Sequence, residues 1–259
     1  MDLFFDLLRS VIYGVIEGIT EWLPISSTGH MILAVVVMYF KKLWPFCVDN
    51  GRDSGLAKHV RWPVMRLWFK IIVACLPAAV LGLALDDWID AHFYNSVVVA
   101  VMLIVYGIAF IVIERAFKGR PREDGSAEDI TYGTALKIGA FQMLALIPGT
   151  SRSGSTIIGA MLTGVNRTAA AEFSFFLALP VMAGASLLKL VKFFAGGGVF
   201  TSTEIGVLLV GTITAFFVSL AAIKFLVGFV RRHSFEVFGW YRIVLGLLVL
   251  AWFSAKLFI

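Results

Sequence analysis

The chain alternates long apolar runs with short clusters of charge. Val64 to Leu85, Ser96 to Ile113, Phe173 to Leu190, Ile205 to Val230 and Phe235 to Phe258 are the main apolar stretches. A helix needs about 20 such residues to cross a hydrocarbon core, so each is predicted as a transmembrane span. The charges between them sort by sign. Lys41-Lys42, the Arg52 to Arg66 loop, the Arg115 to Arg122 loop and Arg231-Arg232 mark one side, and Asp86, Asp87 and Asp90 mark the other. The basic side is assigned to the cytoplasm.

Two polar segments interrupt this pattern, and they resemble each other. The first runs from Glu17 through Glu21, Pro24, Ser26, Ser27, Thr28 and Gly29 to His30; the second runs from Gln142 through Pro148, Gly149, Ser151, Arg152, Ser153 and Gly154 to Thr156. In each, a glycine stands three residues before an acid or amide (Gly14 before Glu17, Gly139 before Gln142). A proline then breaks the helix ahead of a Ser-x-x-Gly core, so that Ser26 to Gly29 matches Ser151 to Gly154. Unpaired polar backbone in hydrocarbon costs several kcal/mol per group, so such breaks persist only inside protein or along a wet cavity. Corresponding breaks in two halves point to one site between them. The expected fold is an all-α integral membrane protein, an inverted repeat of transmembrane helices with two re-entrant helical hairpins meeting at a central site. Residues 1–117 form the first repeat, 118–130 a hydrophilic, solvated linker and 131–259 the second repeat, within one membrane domain.

The copies differ in length. After Gly154 the second has room for a return arm and a full crossing, whereas after Gly29 the first reaches Lys41 with only His30 to Phe40 between. That stretch is too short to cross. The first repeat is therefore shortened after His30.

Composition agrees with a membrane class: 59% of residues are apolar, 14% aromatic and 15% charged, and the mean hydropathy is +0.90. The net charge of +5 falls between apolar runs rather than on a soluble face, so no nucleic-acid partner is expected. Cys47 and Cys75 lack metal-ligand spacing, and no disulfide is expected between them. The first apolar run carries Glu17 and Glu21 and no small-residue cleavage pattern, so a cleavable leader is not expected.

Glu17 and Glu21 share a helix face, where like charges repel unless a cation or metal joins them. Two hard carboxylates in a wet pocket suit a divalent ion, Mg²⁺ or Ca²⁺. Arg152 carries a planar fork of donors suited to phosphate oxygens. Gly149 and Gly154 allow close backbone approach, and Ser151, Ser153, Ser155 and Thr156 add hydroxyls, although any of these serines could instead cap the following helix. His30 is the imidazole of the motifs, a candidate base or nucleophile. Ser27 is a candidate nucleophile or oxyanion ligand, with Ser26 and Thr28 beside it, and water is the third attacking candidate. Gln142, in the position of Glu17, is expected to complete the polar pocket. Glu172 is expected at the positive end of its helix or paired with Arg167. Tyr241-Arg242 reads first as an interfacial anchor. His59, His92 and His233 are expected to face solvent.

Together, Glu-Gly-x-Thr-Glu-Trp-Leu-Pro-Ile-Ser-Ser-Thr-Gly-His and Pro-Gly-x-Ser-Arg-Ser-Gly-Ser-Thr resemble the bacitracin-resistance family of undecaprenyl-diphosphate phosphatases. The likeness continues through Ala170-Ala171-Glu172-Phe173-Ser174-Phe175 and Tyr241-Arg242, and departs from the family just after His30. It implies hydrolysis of undecaprenyl diphosphate to undecaprenyl phosphate and inorganic phosphate, recycling the lipid carrier of bacterial wall synthesis and giving bacitracin resistance. It also implies a phosphate contact for Arg242. The expected partners are a polyprenyl diphosphate substrate, membrane lipids and a second copy of the chain in a homodimer. The expected location is the bacterial plasma membrane, with the site open to the outer face. The competing expectation is a lipid-phosphate transporter or flippase on the same plan, which needs the anion cradle but no nucleophile.

Overall fold

The computed structural model describes residues 2–20, 30–47, 58–117 and 125–257, and among them nine α-helices account for almost all regular structure. They are α1 (Asp2–Thr20), α2 (His30–Leu43), α3 (Trp62–Phe93), α4 (Ser96–Ala116), α5 (Tyr132–Gln142), α6 (Arg152–Leu162), α7 (Arg167–Ala195), α8 (Ser202–Arg232) and α9 (Glu236–Leu257). The five expected spans fall on α3, α4, α7, α8 and α9, each long and apolar enough to cross a membrane. Local chemistry sets several helix starts. Asn95, Thr131, Asn166 and Thr201 each accept a first-turn backbone N–H of the helix that follows, and Glu204 returns the favour to Thr201.

Helices from the two halves of the chain pair closely. α1 lies along α8, α3 along α5 and α4 along α9. Small residues make this possible, since in lipid close backbone approach replaces the hydrophobic effect as the source of helix association. A methyl placed on Gly14 of α1 would stand 2.8 Å from the Gly211 carbonyl of α8, and one on Gly139 of α5 would strike the Ala74 backbone of α3. The two glycines that head the repeated motif thus both stand at close helix crossings. At the α4–α9 contact, a Cβ on Gly107 would meet the Gly239 carbonyl at 2.7 Å, and one on Gly246 would meet the Ala100 carbonyl at 2.8 Å. Gly107 and Gly246 are as far apart in sequence as Ala100 and Gly239, so the same contact occurs twice with the helices exchanged.

The core lies around the first half of α7, where Phe173, Phe175, Phe176, Leu177 and Ala178 are enclosed. α2 packs against α7 and α8, with Tyr39 edge-on to Phe176. Its 14 residues rise roughly 21 Å, short of a hydrocarbon core of about 30 Å. Leu83, Val80, Phe225 and Trp252 are among many large apolar side chains left exposed on the outside of the bundle, as a lipid-facing surface requires.

The linker departs from its expected character where it is described. Ala127 and Ile130 are buried against the bundle, and Asp129 caps the short turn at Ser126 through both the backbone N–H and the hydroxyl. Its end is therefore docked rather than freely solvated. Asp86, Asp87 and Asp90 belong to the last turns of α3, which runs on past the apolar stretch to Phe93. Cys47 and Cys75 are both free, and His59, His92 and His233 are exposed.

Candidate functional site

The second polar segment forms a broken helix. α5 ends at Gln142, a short 3₁₀ turn covers Met143–Leu146, and the chain reverses at Pro148 and Gly149 before α6 begins. Gly149 adopts φ +86°, and a Cβ there would stand 2.5 Å from the Val99 carbonyl of α4, so glycine is required on both counts. Ser151 is the N-cap of α6: its hydroxyl accepts the Gly154 N–H at 3.1 Å.

Arg152 opens α6, at the positive end of the helix dipole, where an anion is favoured. It is half-buried, and its Nη2 lies 3.7 Å from Met182 Sδ of α7. Ser153 beside it is also half-buried, and its hydroxyl shares a hydrogen bond with that of Ser151 at 3.1 Å.

The other hydroxyls turn inward. Thr156 is buried; its Oγ1 donates to the carbonyls of Arg152 or Ser153, each 3.1 Å away, and lies 2.7 Å from the Ser174 hydroxyl of α7. Ser155 is fully enclosed and donates to the Tyr106 hydroxyl at 3.0 Å. Ser151, Gly154 and Thr156 therefore build the loop and its seat. Gly149, Arg152 and Ser153 are the members of the expected cradle that retain exposure.

Arg242 corrects another expectation. It is 0% exposed and so is no interfacial anchor, while Tyr241 next to it faces outward. Its Nη2 donates to the Gly149 carbonyl at 2.8 Å, and its guanidinium carbon lies 5.7 Å above the Tyr106 ring.

Charge pairing also differs from the sequence reading. Glu172 pairs with Lys42 of α2 at 3.0 Å, and Arg167 pairs instead with the buried Glu114 of α4. Both pairs tie the start of α7 to its neighbours, and the enclosed carboxylates keep partners as burial demands. Gln142 is buried at the end of α5, and its Oε1 has no hydrogen-bond partner among the described residues.

The first polar segment lies largely outside the described residues. Glu21, Ser26, Ser27 and Thr28 fall there; Glu17 is placed in the last turn of α1 and His30 at the start of α2 by backbone alone. Among the described residues no group of three or more His, Cys, Asp or Glu side chains forms a metal cluster. A cavity of about 490 Å³ lies between the starts of α1 and α8, lined by Asp6, Arg9, Tyr13 and Glu204 among others, and shares no residue with the Arg152 loop.

Sequence reasoning passed over Tyr106, Glu114, Ser174 and Lys42 as partners. Tyr106 had a signal, being the one polar side chain between Val97 and Ile113. Glu114 had another, a carboxylate closing an apolar run.

Comparison with known proteins places this geometry in a family. A family model described as bacitracin resistance protein BacA matches residues 10–34 and 31–248. The two matched stretches overlap at residues 31–34, in the short stretch that follows His30. Curated relatives include the undecaprenyl-diphosphatase of Enterococcus faecalis, 50% identical over 277 residues, covering 96% of this chain and 98% of the relative. That of Desulfitobacterium hafniense is 50% identical over 279 residues, covering 97% of each chain. That of Lactococcus lactis subsp. cremoris is 49% identical over 284 residues, covering 98% of this chain and 99% of the relative. The chain belongs to the bacitracin resistance protein BacA family.

Proposed function

We propose that this protein is a multi-pass membrane phosphatase that hydrolyses undecaprenyl diphosphate to undecaprenyl phosphate and inorganic phosphate, returning the lipid carrier to wall synthesis. The observation that carries this reading is the placement of Arg152: half-buried inside a bundle of apolar helices, at a helix start, beside a glycine turn and the Ser153 hydroxyl. Ionisable side chains within an apolar membrane bundle are rare and mark functional sites. The names and identities of the curated relatives support the same substrate. Removing the diphosphate form from the membrane is also how such a protein would confer bacitracin resistance.

The roles divide between the two polar segments. Arg152, Ser153 and the backbone at Gly149 take the phosphate oxygens and spread the charge that builds as the bond to the bridging oxygen breaks. Ser26 and Thr28 contribute further hydroxyls to the phosphate. The attacking atom is Ser27 Oγ, an imidazole nitrogen of His30 or a water oxygen; when Ser27 or water attacks, His30 removes its proton. Bond formation to the terminal phosphorus breaks its bond to the bridging oxygen and expels the prenyl monophosphate. Attack by water gives inorganic phosphate directly, whereas after attack by Ser27 or His30 a water molecule hydrolyses the phosphoryl-enzyme bond to release it. The four-residue spacing of Glu17 and Glu21 in the sequence is one helical turn, a donor set suited to a hard divalent cation such as Mg²⁺ or Ca²⁺. Such an ion would supply further countercharge to the diphosphate. The prenyl tail stays among the exposed apolar side chains of the bundle surface.

The inverted-repeat reading draws support from the helix pairings. α1 against α8 is matched by α5 against α3, each with the motif glycine at the crossing, and the α4–α9 contact repeats with its helices exchanged. Positive ends at Lys41-Lys42, Arg115 and Arg231-Arg232 favour the plasma-membrane orientation with that side cytoplasmic. On that plan the site is reached from the outer face.

The same pairings favour a second reading, lipid-phosphate transport. Phosphate release from undecaprenyl diphosphate by purified protein, alongside lipid translocation in vesicles, separates the two. The phosphatase reading expects release that His30→Ala abolishes and that chelator diminishes. Translocation by a protein that never releases phosphate would replace it with transport. Full release after metal stripping would remove the metal while leaving the phosphatase.

A further inference from the structure

We propose that Tyr106 and Arg242 form a clasp that positions the Arg152 loop, acting through its backbone and through Ser155 and not on the phosphate itself. Both ends of the loop are tied to one helix pair. At its start, the Gly149 carbonyl accepts from Arg242 Nη2 at 2.8 Å, while the Gly149 Cα side faces the Val99 backbone of α4 with no room for a methyl. At its end, Ser155 Oγ donates to the Tyr106 hydroxyl at 3.0 Å. Arg242 and Tyr106 also meet each other, guanidinium over ring at 5.7 Å.

The frame that carries the clasp is rigid. α4 and α9 touch backbone to backbone at Gly107 and Gly239, one residue after Tyr106 and three before Arg242. The clasp thus measures the loop against a crossing at which the two backbones leave no room for a methyl. Arg242 is fully enclosed, and Nε and Nη1 have no hydrogen-bond partner among the described residues. Burial of a guanidinium so incompletely satisfied is costly. The Tyr106 ring and the Gly149 carbonyl dipole offset part of that cost, which is retained because one guanidinium fixes both the turn and the ring.

This inference rests on Arg152 as the phosphate ligand, and a double-mutant cycle on phosphate release tests it. If Arg242 acts through the loop, Arg242→Gln lowers kcat about tenfold in the parent but less than about twofold in an Arg152→Lys background, because the group being positioned is already displaced. Equal losses in both backgrounds would make Arg242 an independent ligand and overturn the proposal, as would no loss in the parent. Tyr106→Phe, which keeps the ring, covers the case in which Arg242→Gln does not fold. It is expected to lower kcat about fivefold with KM within about twofold of the parent, and adding Ser155→Ala should cost nothing more, since both remove one bond. A Tyr106→Phe protein at parental rate, or one that only melts earlier, would refute the clasp. Parental activity in Arg152→Lys alone would instead count against the phosphate-ligand reading, and Tyr106→Phe would still decide the clasp.

Discussion

The α4–α9 crossing and the loop from Pro148 to Thr156 lie side by side and are built on opposite principles. The crossing is made of absences: Gly107, Gly239 and Gly246 leave out side chains so that backbones can touch. The loop is made of polar groups, most of which bond to one another or to the seat, as Ser151 does to Gly154, Ser155 to Tyr106 and Thr156 to Ser174. The difference shows how a membrane protein keeps irregular backbone at depth. A tight apolar frame is set first, hydroxyls satisfy the loop internally, and few polar groups are left to face a ligand. In the described half Arg152 and Ser153 are the polar side chains of the loop that keep exposure.

Breaking the frame should have the largest effect. Gly239→Val places a side chain against the Gly107 carbonyl and Ile111, where the nearest atoms lie 2.7 Å from an added Cβ. Overpacking of this kind costs about 3 kcal/mol, read as a lower melting midpoint in detergent and less protein in membranes. A comparable valine at Gly206, whose added Cβ meets nothing within 4 Å, should leave both measures near the parent.

Internal satisfaction of the loop is sharpened by Thr156→Val. It removes the 2.7 Å partner of Ser174 and leaves a buried hydroxyl unmet, a loss of about 2 kcal/mol in stability. Thr156→Val with Ser174→Ala should regain most of that loss, because replacing both partners by apolar groups is nearly neutral. Failure of the pair to recover would mean that Thr156 serves something besides its seat.

Ser151 and Ser153 set the cap against the ligand face. Ser151→Ala should lower stability by about 1 kcal/mol through the lost N-cap, visible in thermal unfolding, whereas Ser153→Ala should act on phosphate release more than on melting.

The smallest effect belongs to the docked linker. Hydrogen bonds from the Ser126 backbone and hydroxyl hold the Asp129 carboxyl below its ordinary range. A carboxyl depressed on folding gives its stabilisation above its unfolded pKa and loses it as pH falls through the folded value. The protection of amides 126–130 against hydrogen exchange, taken relative to the intrinsic rate at each pH, should therefore fall in acid in the parent, and Asp129→Asn should flatten that fall.

Much of this architecture was legible in the sequence. Length and apolarity alone located five spans, and the shared Gly-x-x-(Glu/Gln) spacing picked out Gly14 and Gly139, both of which stand at helix crossings. The shortness of α2 was legible as too few apolar residues after His30. Partner choice was not. Glu172 and Arg167 are five residues apart, yet each pairs across helices, with Lys42 and Glu114, because the packing of α2 and α4 on α7 decides which charges meet. Nor could spacing say which hydroxyls face inward. That depends on the roll of α6 against α7, which buries Thr156 and Ser155 and leaves Arg152 and Ser153 at the opening. Arg242 was misread as an anchor because its neighbour Tyr241 does face outward, and adjacent helical residues point in different directions.

The central claim is that a phosphatase site is built around Arg152. Phosphate release from undecaprenyl diphosphate by the purified parent and by Arg152→Ala measures it most directly. The account predicts turnover by the parent and a loss of at least about a hundredfold in the variant at unchanged melting temperature, the scale on which a single oxyanion-stabilising group acts. Equal rates in the two proteins, or a folded parent that releases no phosphate, would contradict it.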